Sequence, residues 1–363
     1  MSLIITEDEL EQLVLEQLLK QGWAHVYGPD IAPGELTAER EDYREVVLVD
    51  RLRAAVERLN PKLNRDEVED AVKTVLRPES PALMSENWRA YQLLTQGVPV
   101  ETRDETGAPR TVRAQIVDWS DFGGNDLAAI NQFTIIGKAN RRPDIMLFVN
   151  GLPLALIELK RAGNENASLR GAFNQIQTYK NDIPDAFIWN QVTVISDGVQ
   201  ARAATFTANW EHYAPWKTID GRNLAPGALP EIDVLVAGLL DPARLLDLIR
   251  NFVVYTQDAG AYSKKAAKYH QYWAVTKAVH STVEAVENDG RAGVVWHTQG
   301  SGKSLEMEWY AGAIMRHPAM ENPTIVVLTD RNDLDDQLFD DTFAASMPGA
   351  PLPEKPVQKY NSG

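Results

Sequence analysis

The 363-residue sequence contains no cysteine. This excludes a disulfide framework and any zinc site built on thiolates, and it suits a reducing compartment such as the cytoplasm. No apolar run approaches the roughly 20 residues that a membrane-spanning helix requires. The first residues, MSLIITEDELEQ, are acidic where a secretory signal would be basic, so we expect no such signal. The length allows two or three domains with ample core.

Positive charge is also scarce, because 36 Lys and Arg face 51 Asp and Glu and leave a net charge of −15. A protein that coats nucleic acid is usually basic, so the composition argues against that class. A nucleic-acid site nevertheless needs only a local cluster of cations. The candidates for such a cluster are Lys138, Arg141, Arg142, Arg161 and Arg170.

The most informative stretch is RRPDIMLFVNGLPLALIELK, residues 141–160. Its apolar, β-rich segments predict two strands, Ile145–Val149 and Leu152–Leu159. Asn150-Gly151 lies between them and is a strong signal for a two-residue hairpin turn, because both residues tolerate positive φ.

Three polar residues interrupt this apolar hairpin: Asp144, Glu158 and Lys160. Glu158 and Lys160 share one face of their strand, and the hairpin can bring Asp144 beside them. Mg²⁺ takes one or two carboxylates and keeps its waters, so the pattern predicts a Mg²⁺ site with the Leu159 carbonyl as a possible third ligand. Lys160 would then orient the attacking water or steady the phosphate. A surface ion pair between Glu158 and Lys160 is the plainer alternative.

The following residues supply context for these three side chains. Residues 168–182 have the pattern of a helix, in which Gln175 and Tyr179 share one face because they are four positions apart. Residues 183–196 and 199–206 then predict two further strands. Hairpin, helix and strand in this order form the core of the restriction-endonuclease-like α/β fold.

P-D…E-x-K followed by Q-x-x-x-Y resembles the PD-(D/E)xK nuclease in the restriction (R, HsdR) subunit of type I restriction enzymes. The resemblance implies that Asp144, Glu158 and Lys160 are catalytic in Mg²⁺-dependent cleavage of double-stranded DNA. It implies that Gln175 and Tyr179 form an additional motif that supports cleavage and contacts DNA, although a helix packed on the sheet would also place them there. It further implies modification (methyltransferase) and specificity subunits as partners, and a cytoplasmic location.

Residues 6–20 predict an amphipathic helix, with Thr6 and Glu9 as a capping box and with Leu10, Leu13 and Leu18 in its buried stripe. In nucleases of the resembled fold, the first helix often adds an acid near the metal. Glu11 is our candidate for that metal ligand. Glu7 or Glu16 could take the same role, and Glu11 could instead be an ordinary exposed glutamate.

The segments around this core carry no evident chemistry. We expect two helices within residues 41–76, separated by Asn60-Pro61, and a third at 86–96. Residues 23–27, 99–103, 111–119 and 131–136 predict strands, and residues 242–255 and 263–288 predict long helices. Trp210, Tyr213 and Trp216 could stack on bases or could pack a loop on the core.

The second chemical signal is a phosphate-binding loop at residues 297–304, HTQGSGKS. A predicted strand at 293–296 and a predicted helix at 305–315 flank it, as in a P-loop. Backbone N–H groups of Gly300, Ser301 and Gly302 would surround phosphate, Lys303 would reach the β- and γ-phosphates of ATP, and Ser304 would bind Mg²⁺. The first position is His297 where the motif has glycine, and a Gly-rich surface loop is the alternative.

TQGSGKS resembles motif I of superfamily 2 helicases. By that resemblance Gln271 reads the adenine of ATP, and residues 330–337, after a predicted strand at 324–329, match a motif near the DNA track. The second half therefore resembles the beginning of a RecA-like motor domain. No Walker B acidic box follows; the acidic run at 333–341 lies on a predicted helix, and the tail after residue 346 is expected to be disordered.

We therefore expect an endonuclease domain at residues 1–225, a helical linker at 226–260 and a partial RecA-like ATP-binding domain at 261–363. We expect weak ATP binding, no translocation and little hydrolysis from this chain. A repair-type nuclease-helicase and a non-catalytic DNA- or nucleotide-binding scaffold are the alternatives.

Overall fold

The structure is a computed structural model that describes residues 6–104, 106–160, 169–258 and 261–328. It divides into two compact units, Met1–Leu246 and Asp247–Gly363. Four predicted features lie outside the described residues: the cation Arg161, the helicase-like motif at 330–337, the acidic run and the tail.

Six α-helices and ten strands are described before residue 240. The helices are α1 (Glu7–Lys20), α2 (Val49–Leu59), α3 (Arg65–Leu76), α4 (Leu83–Gln96), α5 (Leu169–Asp182) and α6 (Glu231–Gly238). The strands are β1 (Ala24–Tyr27), β2 (Val98–Arg103), β3 (Pro109–Ala114), β4 (Leu127–Asn131), β5 (Ile135–Ile136), β6 (Asn140–Arg141), β7 (Ile145–Val149), β8 (Leu152–Leu159), β9 (Val192–Ser196) and β10 (Ala201–Ala204).

A six-stranded mixed sheet organises the first unit, with the strand order β1-β4-β7-β8-β9-β10. β1 is parallel to β4 and β8 is parallel to β9, whereas the other neighbours are antiparallel. The expectation of an α/β protein whose mixed sheet is flanked by helices is therefore confirmed. The predicted hairpin is the centre of this sheet.

The hairpin turn has the predicted backbone conformation, with φ of 50° at Asn150 and 79° at Gly151. All residues of β7 and β8 are buried, because each strand has a sheet neighbour on both sides and packed elements above and below. α5 packs on β8 and β9, and α1 also contacts β8. Side chains on this hairpin are consequently positioned by two fully buried strands at the centre of the sheet.

Several predicted elements are wrong in extent. Residues 183–196 form a 3₁₀ turn at Pro184–Phe187 before the short strand β9, and residues 131–136 give the end of β4 and the two-residue strand β5. In α1 the capping box is confirmed, but Leu13 is exposed, and the buried stripe uses Val14 and Leu15 instead.

The remaining elements are α7 (Pro242–Asn251), β11 (Val253–Asp258), β12 (Ala261–Ala266), α8 (Tyr269–Val286) and α9 (Lys303–Arg316). The helices predicted at 242–255 and 263–288 are thus too long, because residues 253–258 and 261–266 pair as an antiparallel hairpin. No described helix is long and apolar enough to cross a membrane.

The two strands predicted beside the phosphate loop are also wrong. Residues 293–296 and 324–328 have no strand assignment. Val294 and Trp296 are 92% and 89% exposed, and Leu328 is 90% exposed. An isolated apolar segment cannot form a strand, because a strand requires a neighbouring chain for its backbone hydrogen bonds.

Candidate active site

The hairpin brings the two predicted carboxylates together. The register pairs Ile145 with Ile157, so Asp144 at the start of β7 lies beside Glu158 near the end of β8. Asp144 Oδ2 accepts a hydrogen bond of 2.6 Å from the backbone N–H of Leu159. Glu158 is 1% exposed although it is ionisable, and this degree of burial is rare for an acid without a compensating partner.

Lys160 supplies part of that compensation. Its Nζ donates to Glu158 Oε1 at 2.6 Å and to the Leu159 carbonyl at 2.9 Å. The Lys160 backbone N–H donates to Ser196 on the neighbouring strand at 2.9 Å, which fixes the position of this residue beyond the end of β8. Glu158 and Lys160 therefore do form an ion pair, as the alternative of a surface ion pair required, but the Glu158 carboxylate is buried and not on the surface.

The electrostatics of the carboxylate pair disfavour two bare negative charges. The pKa of Glu158 is raised to about 8, first by burial and second by the neighbouring Asp144, while Lys160 opposes the rise. Burial raises the pKa of Asp144 to about 6, and the charge of Glu11 adds to this rise. The hydrogen bond from the Leu159 N–H and the charge of Lys160 lower the same pKa. At neutral pH a bound cation would therefore stabilise the ionised form of both carboxylates.

The donor set fits a hard divalent cation. Glu158 Oε2 is buried and makes no hydrogen bond of good geometry, although the Tyr179 hydroxyl is near enough to this carboxylate to lower its pKa. One carboxylate oxygen therefore remains to bind a ligand. Asp144 and the Leu159 carbonyl add oxygen ligands, which are the kind that Mg²⁺ prefers. The described residues contain no group of three or more His, Cys, Asp or Glu side chains placed to hold a metal ion.

Glu11 lies close enough to this pair to raise the pKa of Asp144. Glu11 is 6% exposed, and its carboxylate accepts hydrogen bonds from Asn131 Nδ2 at 2.7 Å and Gln132 Nε2 at 2.6 Å. Glu11 is thus neither exposed nor free, and two amides orient it. Sequence analysis missed Asn131 and Gln132, although polar residues where an apolar strand ends could have indicated them.

The helix α5 presents Tyr179 to the same site. Tyr179 is buried, its hydroxyl donates a long hydrogen bond of 3.4 Å to the Arg142 carbonyl, and Gln175 lies next to it. Burial, followed by the charges of Glu158 and Asp144, raises the pKa of Tyr179. The structure therefore places Tyr179 beside the carboxylate pair and Gln175 beside Tyr179.

Trp210 and Tyr213 pack against Phe173 of α5, with ring centroids 5.7 and 5.4 Å apart. Tyr213 and Trp216 are buried, so neither ring presents a face for base stacking. For Tyr213 and Trp216 the structure therefore supports packing of the loop on the core over stacking on bases.

The second unit contains the predicted phosphate-binding loop at the start of α9. Gly300 and Gly302 have φ of 79° and 86°, and Gly302 is the N-cap residue of α9. Lys303 Nζ donates to the carbonyls of His297 and Thr298 at 3.2 and 3.0 Å, so the lysine lies across the loop. Ser304 occupies the first turn of α9, where the helix end favours anions.

Gln271 belongs to the first turn of α8 and contacts this loop directly. Its Nε2 donates to the Ser301 carbonyl at 2.9 Å, and its Oε1 accepts from the Lys268 N–H at 2.9 Å. His297, which replaces the first glycine of the motif, has Nδ1 2.7 Å from Glu306 Oε1. The predicted nucleotide-binding residues therefore lie together, whereas the flanking strand does not form.

Taken together, these features define an α/β protein with a carboxylate pair, of which Glu158 is buried, beside a lysine, and with a glycine-rich loop at the start of a helix in a second unit. The family model "Type I restriction enzyme R protein N terminus" matches residues 4–212. The chain belongs to this family, as the motif resemblance predicted. A family model of SWI2/SNF2 ATPases matches residues 270–360.

Curated relatives agree with this assignment. The endonuclease subunit of the type I restriction enzyme HindI from Haemophilus influenzae is 43% identical over 349 residues, which are 94% of this chain and 33% of the relative. The putative type I restriction enzyme MjaIXP endonuclease subunit from Methanocaldococcus jannaschii is 28% identical over 355 residues, or 91% of this chain and 33% of the relative. The chain thus spans about one third of the length of these relatives.

Proposed function

We propose that this chain carries the Mg²⁺-dependent endonuclease of the restriction subunit of a type I restriction enzyme and cuts double-stranded DNA. The buried Glu158 carboxylate, with one free oxygen beside Asp144 and Lys160, is the observation that carries this proposal. It is supported by the family membership of the chain and by relatives that are named endonuclease subunits. The proposed fold of residues 1–225 is restriction-endonuclease-like.

Asp144 and Glu158 hold the metal in this proposal, with the Leu159 carbonyl as a further oxygen ligand. Bound Mg²⁺ would lower the pKa of a water ligand and neutralise charge on the phosphate. Lys160 Nζ lies 2.6 Å from Glu158 Oε1, so it is placed to donate to a water or phosphate oxygen that approaches the pair.

The other site residues orient these groups. Glu11 faces the pair from α1 and is held by Asn131 and Gln132, so we assign it to the outer side of the metal site. Tyr179 and Gln175 close the side formed by α5, where the Tyr179 hydroxyl can donate to Glu158 or to DNA.

For the second unit we propose an ATP-binding role. Residues 226–260 are the linker and residues 261–363 the beginning of a RecA-like motor in this assignment. Gly300, Ser301, Gly302 and Lys303 would surround the phosphates, with Ser304 on Mg²⁺ and Gln271 near the adenine. The match to SWI2/SNF2 ATPases supports this role.

In a protein as long as the relatives, we propose that ATP-driven DNA translocation is coupled to cleavage. The partners would be the modification (methyltransferase) and specificity subunits, acting with it in the cytoplasm. For the present chain we expect weak ATP binding and no translocation.

Substitutions of the carboxylate pair and the lysine test the nuclease proposal. Asp144→Asn and Lys160→Ala should each reduce Mg²⁺-dependent plasmid cleavage by more than about 100-fold, because removing even a partner of a metal ligand costs 10–100-fold. DNA binding, measured in Ca²⁺, should persist. The exposed Asp8→Asn and Lys20→Ala are matched controls for the lost charges.

Calorimetric titration with Mn²⁺ gives a readout that does not depend on cleavage. The wild-type chain should bind the ion, and Asp144→Asn should bind it at least about tenfold more weakly. Unchanged cleavage and unchanged Mn²⁺ binding in both variants would contradict the assignment. Loss of DNA binding without loss of metal binding would favour a DNA-binding scaffold.

A further inference from the structure

A small hairpin of β5 and β6 leads directly into Asp144. We propose that its two exposed cations, Lys138 and Arg142, bind the backbone phosphates of the DNA strand beside the bond to be cut. They would act as positioning residues for the strand, without touching the reacting atoms. This inference rests on the proposed nuclease function and adds a phosphate-binding surface to it.

The hairpin is fixed to its surroundings on both sides. The Ile136 N–H donates to the Tyr43 carbonyl at 3.1 Å, and the Lys138 N–H donates to the Asp182 carbonyl at 2.7 Å. A Cβ on Gly137 would lie 2.3 Å from the same Asp182 carbonyl, so only glycine permits this close approach. The cations on the hairpin therefore have a rigid base, which reduces the entropy cost of binding.

Two adjacent arginines have different environments. Arg141 Nε donates to Asp182 Oδ2 at 2.7 Å, and this ion pair is partly buried. Arg142 is exposed and, within the described residues, has no salt bridge. Lys138 is likewise exposed, and among the described residues its Nζ makes a single long contact of 3.5 Å with the amide oxygen of Asn181. Arg141 is thus engaged in the structure, while Lys138 and Arg142 remain available to an anion.

The backbone connects Arg142 to the active site. Arg142 precedes Asp144 by two residues, and its carbonyl accepts the hydrogen bond from the Tyr179 hydroxyl. The same Tyr179 lies next to Glu158. The backbone of Arg142 is therefore near the carboxylate pair, and in this proposal a strand whose phosphate reaches the pair also reaches the exposed Arg142 side chain.

The charge around the site creates a need for these cations. Asp144, Glu158 and Glu11 are carboxylates, and Glu7 also acts on Asp144, whereas Lys160 is the cation that contacts the pair. DNA phosphates would be repelled by such a group, and the chain as a whole carries −15. Exposed cations at the rim offset this repulsion and contribute a salt-dependent part of the binding.

The test compares the double variant Lys138→Ala/Arg142→Ala and the single variants Arg142→Ala and Arg142→Lys with two controls. Arg141→Ala removes the neighbouring guanidinium that is already paired, and Arg110→Ala removes an exposed arginine from β3. Fluorescence anisotropy with a duplex in Ca²⁺, at several salt concentrations, gives affinity and salt slope. Cleavage in Mg²⁺ gives KM and kcat, and Mn²⁺ titration reports the metal site.

We expect the double variant to bind duplex about tenfold more weakly, with a salt slope shallower by about 1 for each cation removed. KM should rise more than kcat falls, and Mn²⁺ affinity should stay unchanged. Arg142→Lys should recover most of the lost affinity, because it restores the charge. Arg141→Ala should chiefly lower the melting temperature, and Arg110→Ala should change neither property.

Wild-type affinity and salt slope in the double variant would overturn the inference while leaving the nuclease proposal intact. A wild-type chain that binds Mn²⁺ but no DNA would also overturn it. A wild-type chain that binds neither would overturn the proposed function as well. An affinity loss in Arg110→Ala equal to that of Arg142→Ala would show general charge attraction and remove the assignment to this hairpin.

Discussion

Two apolar stretches of this molecule lie next to candidate functional residues, and only one of them is a strand. Ile145–Val149 pairs on both sides and is wholly buried. Residues 293–296 have no strand assignment, and Trp296 is 89% exposed. The first stretch finds its partner across a two-residue turn, whereas the second has no pairing segment within the described residues. An apolar sequence thus provides the capacity for a strand, and a neighbouring backbone is needed to realise it.

Hydrogen exchange should show the largest difference between the two stretches. Backbone amides of β7 and β8 should exchange at least about 10⁴-fold more slowly than those of residues 294–296, because they open only when the core unfolds. Mass spectrometry of the intact chain measures this directly. Strong protection at 294–296 would mean that these residues pair with another segment in solution. The difference between the paired and the unpaired stretch would then not exist.

The turn of the buried hairpin gives the next largest effect. Gly151→Ala should destabilise the first unit by more than about 2 kcal/mol, because a side chain at φ of 79° is strained and the new Cβ would lie 2.3 Å from the Leu48 carbonyl. Gly227→Ala is the control, since nothing lies within 4 Å of its Cβ. Thermal unfolding compares the two. A melting temperature of Gly151→Ala equal to that of the control would contradict this packing.

The carboxylate pair makes the stability of the metal-free first unit depend on pH. The pKa values of about 8 for Glu158 and about 6 for Asp144 exceed those of an unfolded chain, so the folded state binds more protons. The contribution of these two groups to the free energy of unfolding is therefore complete below about pH 4 to 4.5. It is lost as the pH rises toward 8. Each tenfold difference in proton affinity is about 1.4 kcal/mol.

Denaturant unfolding at several pH values tests this dependence. The Asp144→Asn variant is the control, because it removes one titrating group and the repulsion that it exerts on Glu158. Mg²⁺ should stabilise the wild-type protein most at high pH, where both carboxylates are ionised. Wild-type stability that rises between pH 5 and 8 in the absence of metal would reverse the expected sign.

Local signals predicted the hairpin well. Asn150-Gly151 fixes a turn, the flanking residues pair immediately, and the alternation of the strand places Glu158 and Lys160 together. The capping box of Thr6 and Glu9 and the start of α9 near Lys303 are local in the same sense. Each of these features depends on residues that are close in sequence, so the sequence alone contains the necessary information.

Features that depend on distant residues were not predictable in this way. The exposure of Leu13 depends on which face of α1 meets the sheet, and the burial of Glu11 depends on Asn131 and Gln132, which lie about 120 residues away. The predicted helix at 242–255 ends early because Val253 and Val254 pair with residues of β12. Tertiary partners overrode local propensity in each case.

The smallest effect concerns two glycines of the phosphate loop with similar backbone angles. Gly300→Ala and Gly302→Ala both place a side chain at positive φ, which costs about 1–2 kcal/mol. A Cβ on Gly302 would also lie 2.4 Å from Gln271 Nε2, whereas nothing lies within 4 Å of one on Gly300. Gly302→Ala should therefore displace Gln271 from the Ser301 carbonyl and cost about 1 kcal/mol more.

Hydrogen exchange of the α9 amides gives the local stability of each variant. The Gln271→Ala background should remove the difference between the two substitutions, since the overlapping side chain is then absent. Equal costs in the wild-type background would show that the contact between Gln271 and the loop is weak in solution. A difference that disappears with Gln271→Ala would show that the contact with Gln271 holds the loop in place. Residues 293–296, which precede the loop and have no strand assignment, cannot do this.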